Sequence, residues 1–176
     1  NMITGYTRAP SMQHLMVAPF ALRKGLLQRI EAEARAAREG RPARILGKMN
    51  SLVDPEVIRA LYDASKDGVE IDLCIRGICC LKPGVPGLSD RIRVVSIVSR
   101  FLEHSRIYYF ENDGDPEVYI ASADWMTRNL DRRVEQAVPV LDPALRARVI
   151  TILQANLDDN VKAREILPDG SYRLLQ

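Results

Sequence analysis

The sequence predicts an α/β domain built on a mixed, mainly parallel sheet with helices on both faces. Three observations carry this. Short apolar runs alternate with stretches of helical periodicity, the helix starts are marked by capping residues, and the strands are apolar throughout rather than at every second position. With 176 residues, 47% of them hydrophobic, the chain has the length and the apolar content of one domain spanning 1–176.

Leu15 to Pro19 is a short apolar run and reads as the first strand. From about Ala21 to Glu39, Leu22, Leu26, Ile30 and Ala34 share one face and Gly40 follows as a stop, which predicts a helix. Ala43 to Gly47 is the next strand. Asp54-Pro55 then supplies an N-cap with proline at the first helical position; Val57, Ile58, Leu61 and Tyr62 form the apolar stripe, and Gly68 ends it. The strand Ile71 to Ile75 follows at once and completes a βαβ order. Between Arg76 and Asp90 prolines and glycines gather into a long ordered loop. Open α/β sheets bind ligands beyond the carboxyl ends of their strands, so Arg76 stands where an anion would be met. Further strands are expected at Arg93 to Ser96, Ile107 to Phe110, Val118 to Ala121 and Val134 to Val140. Asp142-Pro143 repeats the earlier cap and opens a last helix, whose Leu145, Val149, Ile152, Leu153 and Leu157 are expected to face inward. The tail from Asp158 is polar and carries no predicted element.

Composition narrows the function classes. Charged residues make up 27% with no long single-sign block, and the net charge is +2, so neither an acidic tail nor a basic nucleic-acid arm is visible. No apolar run reaches the length of a membrane span and the N-terminus lacks a signal-peptide pattern, which predicts a soluble, cytoplasmic chain. Cys74, Cys79 and Cys80 are not spaced for zinc and are expected to fill apolar space. The glycines between Lys82 and Asp90 do not follow a strand-to-helix arrangement, which disfavours a Walker-type phosphate loop. Local charge says more than the total: Lys82, Arg91, Arg93, Arg100 and Arg106 outnumber Asp90 and Glu103, and Arg128, Arg132 and Arg133 follow, forming either an exposed charged face or an anion path.

The chemistry concentrates between His104 and Glu135. His104-Ser105-Arg106 opens a strand, Ser122-Ala123-Asp124-Trp125 follows the next, and Asn129 and Glu135 come soon after. An imidazole can act as nucleophile or acid, a cation beside it can hold phosphoryl oxygens, and a carboxylate can fix the imidazole tautomer; Glu135 is the candidate for that carboxylate. Ser122, Asp124 and Asn129 are expected to support the site, and Trp125 to be core. The pattern resembles that of the phospholipase D superfamily, with arginine in place of lysine in His-x-Lys and Asp124 in place of an asparagine.

Longer blocks narrow the resemblance. Lys48 to Asp54, Arg76 to Leu81, Ser96 to Arg106 and Ser122 to Glu135 are similar, in order and spacing, to the C-terminal domain of bacterial polyphosphate kinases, from about Leu15 to Lys162-Ala163-Arg164. The resemblance implies a phospholipase-D-like domain of a longer enzyme that moves the γ-phosphoryl of ATP reversibly onto inorganic polyphosphate, through a phosphohistidine and with Mg2+. It places the phosphorylated histidine and the Mg2+ site in a preceding domain, so no metal is expected in this one. Arg76 and His104 fall on nucleotide-holding positions. The implied ATP- and phosphate-binding set is Arg76, His104, Arg106, Lys48, Asn50, Arg128 and Arg132, with His104 and Glu135 catalytic. Implied partners are ATP and ADP, polyphosphate, the other domains of the same protein and further copies of it, without nucleic acid; peripheral association with the inner membrane face fits the same picture. His14, the other histidine, lies outside every matched block. Two other readings stay open: a phospholipase-D-type phosphodiesterase or nuclease completed by homodimerisation, disfavoured by the two substitutions, and a non-catalytic polyphosphate-binding module.

Overall fold

The computed structural model describes residues 12 and 14–175. Their elements run β1 (Met16–Ala18), α1 (Leu22–Arg38), β2 (Arg44–Met49), α2 (Pro55–Lys66), β3 (Glu70–Ile75), β4 (Ile92–Ser96), β5 (Ile107–Phe110), β6 (Glu117–Ala121), α3 (Thr127–Asp131), β7 (Glu135–Pro139), α4 (Pro143–Leu157), β8 (Arg164–Ile166) and β9 (Tyr172–Leu174). All nine strands join one sheet in the order β1-β7-β6-β5-β2-β3-β4-β8-β9.

The helix starts follow the predicted capping chemistry. The Asp54 carboxylate accepts from the N–H groups of Glu56 and Val57, both at 3.1 Å, and Asp142 accepts from that of Leu145 at 2.9 Å. Gly68, at φ +106°, lets the chain turn straight from α2 toward β3.

Helices cover both faces of the sheet. On one, Leu22, Leu26 and Ile30 of α1 and Val57 and Leu61 of α2 pack against Ile45, Ile71, Leu73 and Val94; on the other, Leu153 and Leu157 of α4 meet Leu46, Cys74, Val95 and Val118. Successive residues of β2, β3 and β4 are thus buried on opposite sides, which is why those strands are apolar without alternation.

Four expectations need correction. The sheet is mixed, but only β2–β3 and β3–β4 pair parallel; the remaining neighbours are antiparallel. The reason lies in the connections: α2 and the 76–91 segment are long enough to return the chain in the same direction, whereas the tight turn at Asn112–Gly114 joins β5 to β6 and permits only reversal. Leu145 and Ile152 of α4 face outward, 56% and 46% exposed. Cys74 is buried as expected, but Cys79 is half-buried and Cys80 exposed. The polar tail, with no predicted element, forms β8 and β9, added to the sheet beyond β4.

Candidate functional site

Strand directions gather the predicted residues at one end of the sheet. Because β5 and β7 run opposite to β2, β3, β4 and β6, the carboxyl ends of the latter four share an edge with the amino ends of β5 and β7. Lys48 and Asn50 close β2, Arg76 follows β3, His104 and Arg106 precede β5, Ser122 and Asp124 follow β6, and Glu135 opens β7.

The segment after β2 is clamped between two others. Leu52 forms bridges to Cys79 on one side and Trp125 on the other, and the Trp125 carbonyl accepts from the N–H groups of Val53 and Asp54 at 2.9 and 3.0 Å. Gly77 donates to the Asn50 carbonyl at 2.7 Å; a Cβ there would lie 2.9 Å from that same oxygen, so the approach requires glycine. Trp125 is fully buried and tilted against Tyr108 with ring centroids 5.3 Å apart. It is a core residue, as expected.

On this scaffold the buried Asp124 carboxylate links two loops. One of its oxygens accepts from the Asn50 backbone N–H at 2.8 Å and from Arg106 Nε at 2.9 Å, while the Asn50 amide oxygen accepts from Arg76 Nε and Nη2 at 3.2 and 3.0 Å. The two guanidiniums are therefore joined through Asp124 and Asn50. Lys48, only 6% exposed, directs its ammonium to Glu103 and to the Ser105 carbonyl, the latter at 3.2 Å. Burial pulls its pKa below the usual lysine range, and the nearby charges of Arg76 and Arg106 act in the same direction. Arg106 Nη1 also donates to the His104 carbonyl at 3.0 Å.

The imidazole of His104 is exposed and has no hydrogen-bond partner among the described residues. Glu135 faces elsewhere: its oxygens accept from Asn129 Nδ2 at 2.8 Å and Ser122 Oγ at 2.5 Å, and Ser122 Oγ in turn accepts from the Gln136 N–H at 3.0 Å. The predicted residues thus form two groups. One is Lys48, Asn50, Arg76, Arg106 and Asp124, with His104 attached through its backbone; the other is Ser122, Asn129 and Glu135. Arg128 and Arg132 are exposed and, among the described residues, make no ion pair. From sequence, Glu103 is an alternative to Glu135 as proton partner of His104; that Glu103 and the Ser105 carbonyl instead hold Lys48 was not foreseen.

Such an arrangement can hold a multiply charged anion. Three cations lie on a rigid frame, and Arg76 is satisfied only by a neutral amide oxygen. The donor set does not fit a divalent metal: Asp124 and Glu135 are occupied by N–H and O–H donors, and among the described residues no group of three or more His, Cys, Asp or Glu side chains converges.

Comparison with known proteins identifies the family. The family profile described as polyphosphate kinase C-terminal domain 2 matches residues 15–176. The chain is 58% identical over 176 residues to a polyphosphate kinase of Thermosynechococcus vestitus and 54% identical over 176 residues to polyphosphate kinase 1 of Chlorobaculum tepidum. It spans 24% and 25% of their lengths, about a quarter of each. The crystal structure of polyphosphate kinase from Porphyromonas gingivalis superposes with a TM-score of 0.94 at 44% identity, over 99% of this chain and 27% of that one. Nuc of Salmonella typhimurium, a phospholipase D family member, matches 87% of this chain and 96% of its own with a TM-score of 0.62 at 18% identity, a likeness of fold. With the profile covering nearly the whole sequence and the strand-end site built on the matched blocks, the chain belongs to the polyphosphate kinase C-terminal domain family.

Proposed function

We propose that this chain supplies the phosphate-holding half of an ATP:polyphosphate phosphotransferase whose other half lies elsewhere in a longer protein. The observation that carries the reading is the Arg106–Asp124–Asn50–Arg76 network, which fixes two guanidiniums relative to each other at the strand ends beside His104. Phosphoryl transfer is mostly positioning and charge stabilisation, and preorganised cations in a half-buried setting do both. Arg76 and Arg106 hold phosphoryl oxygens of ATP, and Lys48 adds charge from beneath. Arg128 and Arg132 extend the positive surface on the β6 side of the site.

In this reading the ATP γ-phosphoryl passes to a histidine of a preceding domain, the bond to ADP breaking as the bond to nitrogen forms. Attack by the terminal oxygen of polyphosphate then frees that histidine. His104 protonates or hydrogen-bonds the leaving oxygen, and Glu135, through Ser122 and Asn129, keeps the neighbouring loop in place. Magnesium, when bound, would neutralise phosphate charge, and its ligands belong to the other domain. The same proposal includes a cytoplasmic, homo-oligomeric enzyme; no helix of the described residues is long and apolar enough to cross a membrane.

The test uses the full-length protein with labelled ATP and, separately, a nucleic-acid diester. Polyphosphate formation without diester cleavage is expected. Arg76→Ala should lower kcat/KM for ATP by about 10- to 100-fold, the size of a lost charge-assisted contact. His104→Ala should abolish or severely reduce synthesis, while the phosphorylated residue, mapped by mass spectrometry under alkaline conditions, lies in the preceding domain. Phosphate on His104, or diester cleavage in place of synthesis, overturns the assignment.

A further inference from the structure

Beyond Arg76 the same edge of the sheet continues into a groove that the phosphotransfer reading leaves unused. The groove has a volume of about 680 Å3 and lies between the end of β4 and the β8–β9 hairpin. Its floor follows from register: β8 pairs antiparallel with β4, placing Arg164 opposite Ser96, and β9 places Leu174 opposite Arg164 and Tyr172 opposite Ile166. Residues two apart share a face of a strand, so Arg164, Tyr172 and Leu174 line one side of the hairpin. Arg76 and Lys162 complete the charged lining.

Its cations differ from those around it. Arg93 and Arg173, on neighbouring strands, are committed to Asp72 at 2.9 Å and Glu165 at 2.5 Å. Arg76 meets only the Asn50 amide oxygen, Lys162 donates to Ser99 Oγ at 3.2 Å, and Arg164 makes no side-chain hydrogen bond or ion pair among the described residues. Asp159, the carboxylate next to Lys162, is taken by the backbone N–H groups of Val161, Lys162 and Ala163 at 2.7 to 3.0 Å. Three cations without a carboxylate partner thus face one concavity. β8 lies two strands beyond β3, across β4, so at about 4.8 Å per strand the cations span roughly 10 Å from Arg76 to Arg164. A row of positive charges of that length suits a linear chain of repeating anionic units. Val98 and Val161 complete the lining.

We infer that the groove between β4 and the β8–β9 hairpin is a second phosphate subsite, in which Lys162 and Arg164 hold an inorganic polyphosphate chain as it runs on from Arg76. The inference rests on the reading of Arg76 as a phosphate-holding residue. A nucleoside triphosphate presents the same phosphoanhydride chemistry, and the experiment separates the two sources.

In the full-length protein, equilibrium titration with inorganic polyphosphate and with ATP compares wild type, Lys162→Ala/Arg164→Ala and Arg164→Lys. The double variant should weaken polyphosphate binding at least about tenfold, with ATP affinity within about twofold, and Arg164→Lys should retain most of the affinity. Unchanged polyphosphate affinity in a double variant that melts at the wild-type temperature overturns the subsite, and equal loss for ATP and polyphosphate assigns the groove to the nucleotide instead. Should the double variant fail to fold, Lys162→Gln alone must weaken polyphosphate binding severalfold, and no change there also overturns the subsite. Because binding is read directly, a wild-type protein that binds polyphosphate at the groove but makes none from ATP would refute the proposed activity and leave the subsite standing.

Discussion

Asp54 ties three elements together. Besides capping α2 it accepts from Arg23 Nη1 and Nη2 at 2.8 and 2.6 Å, across from α1, and from Thr127 Oγ1 of α3 at 2.7 Å. Burial alone would raise its pKa, but Arg23, Thr127 and the Val57 N–H outweigh it and hold the carboxyl below the usual aspartate range. A folded-state pKa depressed in this way adds stability that is complete above the unfolded value, near about 3.9, and is lost as pH falls through the folded one. Asn is a good N-cap, so Asp54→Asn isolates the charge. It should cost about 3 kcal/mol at neutral pH, since Arg23 keeps Glu56 and Asp131 but loses its buried partner. It should also flatten the acid limb of stability. Urea unfolding between pH 2 and 7 measures both, and an acid limb as steep as that of wild type would sink the account.

At the scale of elements, α4 shows why an apolar stripe read from spacing can be too wide. Positions four apart drift around the helix by roughly 40° per step, because 3.6 residues make a turn. Leu153 and Leu157 lie on the line that meets the sheet and are buried, whereas Leu145, two and three steps back, and Ile152 rotate off it. Arg146 lies on that line instead, and ends on Asp115 and the Pro116 carbonyl, both at 3.0 Å. Leu153→Ala in the purified chain is therefore expected to cost about 2–5 kcal/mol through the cavity it leaves. Leu145→Gln and Ile152→Gln should stay within about 0.5 kcal/mol. Thermal and urea melts of the three variants decide it, and equal losses at all three positions would contradict the observed orientation of α4.

For the whole molecule, the decisive fact is that the two histidines lie at opposite ends of the sheet. His14 precedes β1 and lines a cavity with Arg29, Asn112 and Arg146, far from the strand ends that carry His104. A two-histidine transfer cannot be assembled within one copy, and in the proposed reading the phosphorylated histidine lies in another domain, so the purified chain should make no polyphosphate from labelled ATP. Measurable turnover by the chain alone would refute this. Sequence by itself determined the strands β2, β3 and β5, the starts of α2 and α4, and the blocks around Arg76, His104 and Ser122. Each of these depends on residues within a few positions of one another: a cap and its N–H, an apolar stripe, a short motif. Only the tertiary structure decided that Asp124 would reach the Asn50 N–H across 74 positions of chain, that Glu135 would bind Ser122 and Asn129 while His104 stayed exposed, and that a polar tail would add β8 and β9 to the sheet. Those outcomes follow from strand direction and register, which are set by the packing of the whole sheet, and no local pattern of residues encodes them.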